Sequence, residues 1–518
     1  MTSRPLIAFF SVTTIVASFF ILLFFGIFRS GETPTKKFFK ELKEVSRDQQ
    51  DIIIKLSPFE QLQFTLDSIV QCPAMRYGSF GFCLYDPDSG KMILENEPDR
   101  SLVPASVLKV LTTGVALSRL GPGYRFSTRL QYDGKVLDGV LDGNIYIQGT
   151  GDPSLGSEVF GSSVEGLMVS WVKAIQREGI DSITGRIIGD AELFEFDPIP
   201  LGWAWEDIQN DYGTGVSGLS FRENWYDIHV AVSGGKTSLK AKPEIPGLIL
   251  YNQVFYNPGI YKSYVFVNGG PFLTERVALG EVSGDFVTRT PVPDPPLFCA
   301  HTLMRFLNEA GIYVNDTVTT VRKLKNSGKY QRKERKTFHT TYSPSLSQLC
   351  FHTNQVSQNF YAESILRGLG LQRNDFGSTI NGVSSVMAYA KEHNIDLGAF
   401  YMTDGSGVSR FDGITCRQLT EMLYAYTKDT GMFSVFYNTL PLAGESGTLR
   451  SVGDGSAADG KIRAKSGYMT RVRSYAGYVT TLKGRRLVFS MIANNHLMDA
   501  IQIRDEMEKL MILMAELN

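Results

Sequence analysis

The sequence predicts an α+β chain whose body of helices and strands is split by a large β-rich insertion. Three observations carry this reading. The first is an apolar helix that opens at Pro104-Ala105-Ser106-Val107-Leu108-Lys109 and continues through Val110, Leu111, Val115, Ala116, Leu117 and Leu120 until Gly121-Pro122-Gly123 ends it. Apolar on almost every side, it belongs in a core. The second is a pair of hairpins near the two ends of the chain. Gly78 to Tyr85 and Lys91 to Glu95 flank the turn Asp86-Pro87-Asp88-Ser89-Gly90, and Ser474 to Thr481 and Leu487 to Asn494 flank Lys483-Gly484-Arg485. The third is a run of short strands after Gly123, punctuated by Asp133-Gly134, Asp138-Gly139 and Asp142-Gly143, which are hairpin signals.

Bulk properties narrow the class. A chain of 518 residues is too long for one core. With 20% charged residues and a net charge of −1, no nucleic-acid partner is expected. The five cysteines, Cys72, Cys83, Cys299, Cys350 and Cys416, form no C-x-x-C pair and leave their pairing open. The six histidines are scattered, with no H-E-x-x-H and no G-x-S-x-G elbow, so neither a metal nor a cofactor is expected, and a Ser-His-Asp hydrolase is disfavoured.

Taken in order, Leu6 to Phe28 is a charge-free apolar run long enough to span a bilayer as a helix. An uncleaved N-terminal anchor within residues 1–28 is favoured over a cleaved signal, because no A-x-A-like site follows Phe28. Arg29, Lys36 and Lys37 oppose Arg4, so charge does not orient it. Residues 29–57 form a polar tether, 58–123 the first part of the main domain, 124–290 the β-rich insertion and 291–518 the second part. Gly213 to Gly218 is a formal G-x-G-x-x-G, but a strand-like run follows rather than a helix, which argues against a dinucleotide site. The basic run 322–336 reads as a solvated loop, attraction to an anionic envelope polymer being the sharper alternative.

The chemistry begins with Ser106 and Lys109. Three apart on a helix, they lie on one face, where the lysine can take the serine proton once its own pKa is depressed. Pro104 suits a helix start, which places Ser106 among free backbone N–H groups able to hold an oxyanion. Alone the motif is weak, since chance gives roughly two S-x-x-K matches in such a chain. Two further stretches change that. Ser357-Gln358-Asn359 opens a helical segment and offers a hydroxyl to relay a proton beside an amide to hold a substrate carbonyl. Lys465-Ser466-Gly467 supplies a cation, a hydroxyl for an anionic substrate end, and a glycine that lets substrate backbone approach a strand edge.

The ordered set S-x-x-K, S-x-N, K-S-G resembles the penicillin-binding proteins, the penicillin-recognising serine D-Ala-D-Ala peptidases. The long gap from Ser106 to Ser357 and its β-rich content look like their class C low-molecular-mass group, peptidase family S13. Supporting stretches are Gly149 to Leu155, Trp203 to Tyr212, Ser217 to Ser220, Asn359 to Glu363, Asp404 to Arg410, Leu440 to Gly444 and Gly447-Thr448-Leu449. The resemblance implies a β-lactamase-like transpeptidase domain, an antiparallel sheet flanked by helices. It also implies a serine-type D-Ala-D-Ala carboxypeptidase, with D,D-endopeptidase action on cross-links, on the periplasmic face of the cytoplasmic membrane. Partners would be peptidoglycan stem peptides, β-lactams as covalent inhibitors, and the membrane through residues 6–28. Ser106 would be the nucleophile, Lys109 its base, Ser357 the proton relay, Asn359 a support for the acyl side and Lys465 a source of positive potential. Lys465 would also help keep Lys109 neutral. Ser466 would bind the terminal carboxylate, with the backbone N–H groups of Ser106 and Tyr468 as oxyanion hole. Gly467, Met469 and Arg410 fall on the substrate cleft, and Asp207 is a candidate to meet the amino end of a diamino acid, with a plain surface carboxylate as its alternative. Competing readings are a β-lactamase, which the insertion disfavours, and a non-catalytic membrane-anchored wall-binding protein, against which the three intact motifs speak.

Overall fold

The computed structural model describes residues 56–518, so the expected anchor and nearly all of the tether lie outside the described residues. Among the described residues no helix is long and apolar enough to cross a membrane. The main unit runs from Leu62 to Asn518.

Its first elements are α1 (Pro58–Gln71), β1 (Ser79–Asp86), β2 (Lys91–Asn96) and, after a 3₁₀ turn at Ala105–Leu108, α2 (Lys109–Leu120). The inserted region contributes β3 (Ser127–Tyr132), β4 (Lys135–Leu137), β5 (Val140–Asp142), β6 (Ile145–Gly149), α3 (Val164–Arg177), β7 (Ser182–Ile183) and β8 (Ile187–Asp190). It continues with β9 (Trp225–Ser233), β10 (Lys236–Lys242), β11 (Ile249–Tyr256), β12 (Tyr264–Asn268), β13 (Glu275–Val282) and β14 (Phe286–Pro291). Then come α4 (Pro295–Glu309), β15 (Tyr313–Val314), β16 (Thr319–Thr320), α5 (Val321–Asn326) and β17 (Lys336–Tyr342). Five helices follow: α6 (Leu346–Val356), α7 (Asn359–Asn374), α8 (Thr379–Glu392), α9 (Cys416–Lys428) and α10 (Thr430–Thr439). The chain closes with β18 (Ile462–Met469), β19 (Val472–Thr480), β20 (Arg486–Asn494) and α11 (Ala500–Glu516).

The central sheet has the order β18-β19-β20-β1-β2 and is antiparallel throughout. The two terminal hairpins are therefore one sheet, joined where Ser79 faces Asn494. Successive side chains point to opposite faces, and both faces are covered. Leu487, Phe489, Met491 and Ala493 pack with Leu62, Leu66 and the α11 residues Met507, Leu510 and Met514. Val488 and Ile492 pack on the other side with α2, whose residues Lys109 to Leu117 are all buried. A strand buried on both faces reads as a continuous apolar run.

The insertion ends later than residue 290. Helix α4 buries Phe298, Cys299, Leu303 and Leu307 in the insertion's own core. Strands β15 and β16 then pair with β7 and β8, and β17 pairs with β3 from Lys336↔Tyr132 to Tyr342↔Ser127. The inserted region thus extends to Tyr342, through partners too far back in the chain for local pattern to reveal. Of the three Asp-Gly pairs only Asp138-Gly139 turns a two-residue hairpin, with both residues at positive φ. The basic run is not an open loop. Residues 321–326 are helical, and Arg322, Lys325, Lys333, Arg335 and Lys336 pair with Asp294, Glu192, Asp133, Asp190 and Glu178.

Candidate active site

Ser106 lies in the 3₁₀ turn and Lys109 is the first residue of α2. In a 3₁₀ turn residues i and i+3 eclipse, and Lys109 Nζ donates to Ser106 Oγ at 2.8 Å. Ala105 enters the turn at φ 50°, a left-handed conformation costly for a residue with a Cβ. The turn is pinned from the sheet side. A Cβ on Gly467 of β18 would meet the Ser106 amide nitrogen and the Pro104 carbonyl oxygen, each at 2.9 Å. Glycine thus lets β18 pass directly over the serine.

Lys109 is 0% exposed. Its amine also donates to Asn359 Oδ1 at 2.6 Å and to the Ser406 carbonyl at 2.7 Å. Burial pulls its pKa down from 10.5 to about 7, against the opposing pull of Asp404 and Glu363. The two buried lysines repel each other, and burial, then Lys109, then Arg473 depress Lys465. Burial is the first cause of the depressed Lys109 pKa. Lys465 Nζ donates to the Ser466 carbonyl at 2.7 Å.

Ser357 does not open a helix. It caps α6 in the left-handed conformation, φ 60°, and the motif joins α6 to α7. This turn aims Ser357 and Asn359 at one cleft. The Asn359 amide is fixed at both ends, since Nδ2 donates to the Tyr212 carbonyl at 2.8 Å while Oδ1 accepts from Lys109. Ser466 Oγ donates to Thr448 Oγ1 at 2.7 Å, which ties the third motif to the Gly447-Thr448-Leu449 turn.

Ser106, Ser357 and Asn359 line a cleft of about 550 Å³ together with Tyr468, Met469 and Arg410. Asp207 lies on the same wall and accepts from the Tyr212 hydroxyl at 2.9 Å. Lys109 and Lys465 are enclosed behind the cleft, Ser466 is nearly so, and Gly467 sits against Ser106. All eleven residues singled out in the sequence thus fall in or against one site.

Sequence reasoning assigned no role to the groups behind Lys109. Asp404 accepts from the amides of Ser406, Gly407 and Ser409 and, at 2.8 Å, from Trp203 Nε1 of the insertion. It thereby shapes the loop whose Ser406 carbonyl holds Lys109. Glu363 accepts from the Gly405 amide, and burial and Asp404 push its pKa up. These residues stood inside the stretches that carried the resemblance, but their contacts cross the insertion and local pattern does not show them.

A five-stranded antiparallel sheet covered by helices on both faces, with a serine and a buried lysine at the head of its central helix, defines the penicillin-binding-protein and β-lactamase-like fold. Comparison with known proteins is specific within that class. Over 473 residues the chain is 24% identical to a D-alanyl-D-alanine carboxypeptidase of Actinomadura sp. (strain R39), covering 86% of this chain and 84% of that one. It is 24% identical to penicillin-sensitive carboxypeptidase A of Dictyostelium discoideum, covering 96% of this chain and 97% of that one. The crystal structure of penicillin binding protein 4 (dacB) from Haemophilus influenzae superposes with a TM-score of 0.76 at 21% identity, over 87% of this chain and 98% of that one. The chain belongs to the D-Ala-D-Ala carboxypeptidase 3 (S13) family, whose profile matches residues 62–517. Membership makes it a hydrolase of the D-Ala-D-Ala carboxypeptidase class.

Proposed function

We propose that Ser106 carries this activity as an acyl-enzyme nucleophile with Lys109 as its base. The observation that supports the reading best is the 2.8 Å Ser106–Lys109 contact to an amine whose pKa is drawn to about 7, so that a substantial neutral fraction exists at neutral pH. Ser106 Oγ attacks the carbonyl of the penultimate D-alanine while Lys109 takes its proton. The oxyanion is held by the backbone N–H groups of Ser106 and Tyr468. Ser357 passes a proton to the departing D-alanine amine, and water then hydrolyses the acyl-enzyme. Asn359 supports the acyl side, Lys465 keeps the site electropositive and Ser466 receives the terminal carboxylate. Gly467 leaves room for substrate backbone, while Met469, Arg410 and Asp207 border the side chain of the third stem-peptide residue, with Asp207 facing a diamino acid's free amine.

The same chemistry cuts D-alanyl cross-links, which gives D,D-endopeptidase action, and a β-lactam acylates the same serine. Action on peptidoglycan stem peptides places the enzyme outside the cytoplasm, and residues 6–28 tether it to the membrane. Labelling with a fluorescent penicillin tests the assignment. Wild type is expected to label and Ser106→Ala not to label; equal labelling of both removes Ser106 from the reaction. Rapid penicillin turnover without release of D-alanine from a D-Ala-D-Ala peptide would make the enzyme a β-lactamase instead.

A further inference from the structure

The stretch Gly149 to Leu155, which helped to carry the family resemblance, lines no part of the catalytic cleft. Its Asp152 opens on a different one. A polar cleft of about 500 Å³ lies where the inserted region meets the start of α6, with Asp152, Ser154 and Ser162 on the side of the insertion and Gln348 on α6. A second cleft of about 550 Å³ adjoins it at Phe160 and Gln348 and follows α6 past Phe351 and His352 to α10.

Asp152 is only 3% exposed. It accepts from the Ser154 amide at 2.8 Å and the Ser154 hydroxyl at 2.6 Å, both at Oδ1. Oδ2 has no hydrogen-bond partner among the described residues and is not sealed in protein, so it faces the cleft. Burial raises the carboxyl pKa to about 6, which leaves it charged at neutral pH. The other charged residue on the cleft is the exposed Arg125, which donates to the Ser343 carbonyl at 2.6 Å and does not pair with Asp152. Gln348 spends Oε1 on capping α6, accepting from the Ser345 amide and hydroxyl at 3.0 Å, and its Nε2 is unbonded among the described residues. A charged acceptor thus shares the cleft with unspent donors. An anion is repelled by Asp152, a cation by Arg125, and an apolar ligand would enclose the carboxylate without a partner. Hydroxyl groups, which both donate and accept, satisfy all of these groups.

We infer that this cleft binds a sugar of a glycan chain, Asp152 accepting from its hydroxyls while Gln348 and Arg125 donate to it. The volume holds roughly two sugar rings. The source of the sugar rests on the proposed function: the chain is the glycan strand that bears the stem peptides. Helix α6 links the two sites, since Gln348 stands about 14 Å along its axis from Ser357. An extended stem peptide of about five residues covers that span.

Isothermal titration calorimetry of the full chain with the soluble tetramer of N-acetylglucosamine tests this. Wild type and Ser106→Ala are both expected to bind it. Binding is read without turnover, so failure here leaves the Ser106 assignment standing, and failure of that assignment leaves this one. Asp152→Asn is isosteric and can keep the Ser154 contacts at Oδ1. It is expected to bind at least about tenfold more weakly, having lost a hydrogen bond to a charged group. No binding by wild type, or equal affinity in Asp152→Asn, overturns the proposal. Binding of the diamine cadaverine with none of the tetramer would make Asp152 a cation site and overturns it as well. Should Asp152→Asn fail to fold, Gln348→Glu keeps the Oε1 contacts and removes the donor; it is expected to weaken binding, and undiminished affinity counts against the site.

Discussion

Lys109 has three acceptors around its nitrogen, yet it must be neutral to take a proton from Ser106. Its depressed pKa resolves this. Below about pH 7 the amine is charged and cannot act as base; above it the neutral form dominates. The rate of acylation by penicillin is expected to fall about tenfold per unit below pH 7 and to level above it, and a flat profile from pH 5 to 9 would remove Lys109 as base. The sign for folding is the opposite of a stabilising contact. Between about pH 7 and 10.5 the unfolded chain holds the proton that the folded site has shed, so this residue's contribution to stability rises with pH across that window. Trp203 bears on the same proton. Its indole N–H answers Asp404 Oδ2, and Asp404 pulls the Lys109 pKa up. In Trp203→Phe the carboxylate loses that donor and its field on Lys109 strengthens. The acid limb is expected to move to higher pH, with a loss of roughly tenfold at pH 7, the worth of one hydrogen bond to a charged group. A lowered rate with an unshifted limb would make Trp203 a packing residue only.

Among elements, the contact between β18 and the 3₁₀ turn is a tight constraint on the site. Gly467→Ala would drive a methyl into the Pro104 and Ser106 backbone and towards Ser474 Oγ. The sheet is buried on both faces and does not shift easily, so the turn must move. Acylation is expected to drop by about a hundredfold or more, since misplacement of reacting atoms by an ångström costs that much, while the far-ultraviolet circular dichroism stays that of wild type. Near-normal acylation would show that strand and turn have slack. The 3₁₀ turn itself reads from the sequence as ordinary helix, because S-x-x-K spacing suits both; in the fold it is held between β18, at Pro104 and Ser106, and Gly407, at Ala105.

For the molecule as a whole, the insertion is part of the site and not an appendage to it. It reaches Asp404 through Trp203 and Asn359 through Tyr212, and its own sheet is completed by β17, which returns from beyond α5. Arg335 and Asp190 close that circuit with a partly buried ion pair at 2.5 Å. Asp190→Ala removes the guanidinium's carboxylate and is expected to cost about 1.5–3 kcal/mol, read as a lower urea midpoint. A change within experimental scatter would show that the pair is not needed to hold β17.

The sequence by itself determined the three motifs, the terminal hairpins and the central helix, because each rests on spacing and periodicity within a short window. Every residue it singled out for the site lies in or against one cleft. Tertiary structure alone decided where the insertion ends and how Lys109 is made neutral. It also decided that the basic run is largely paired, that Trp203, Glu363 and Asp404 stand behind Lys109, and that Tyr212 holds Asn359. The physical reason is common to all of these. Strand partners, burial and charge pairing depend on residues far apart in the chain, as with Lys109 and Asn359, 250 positions apart and 2.6 Å from amine to amide.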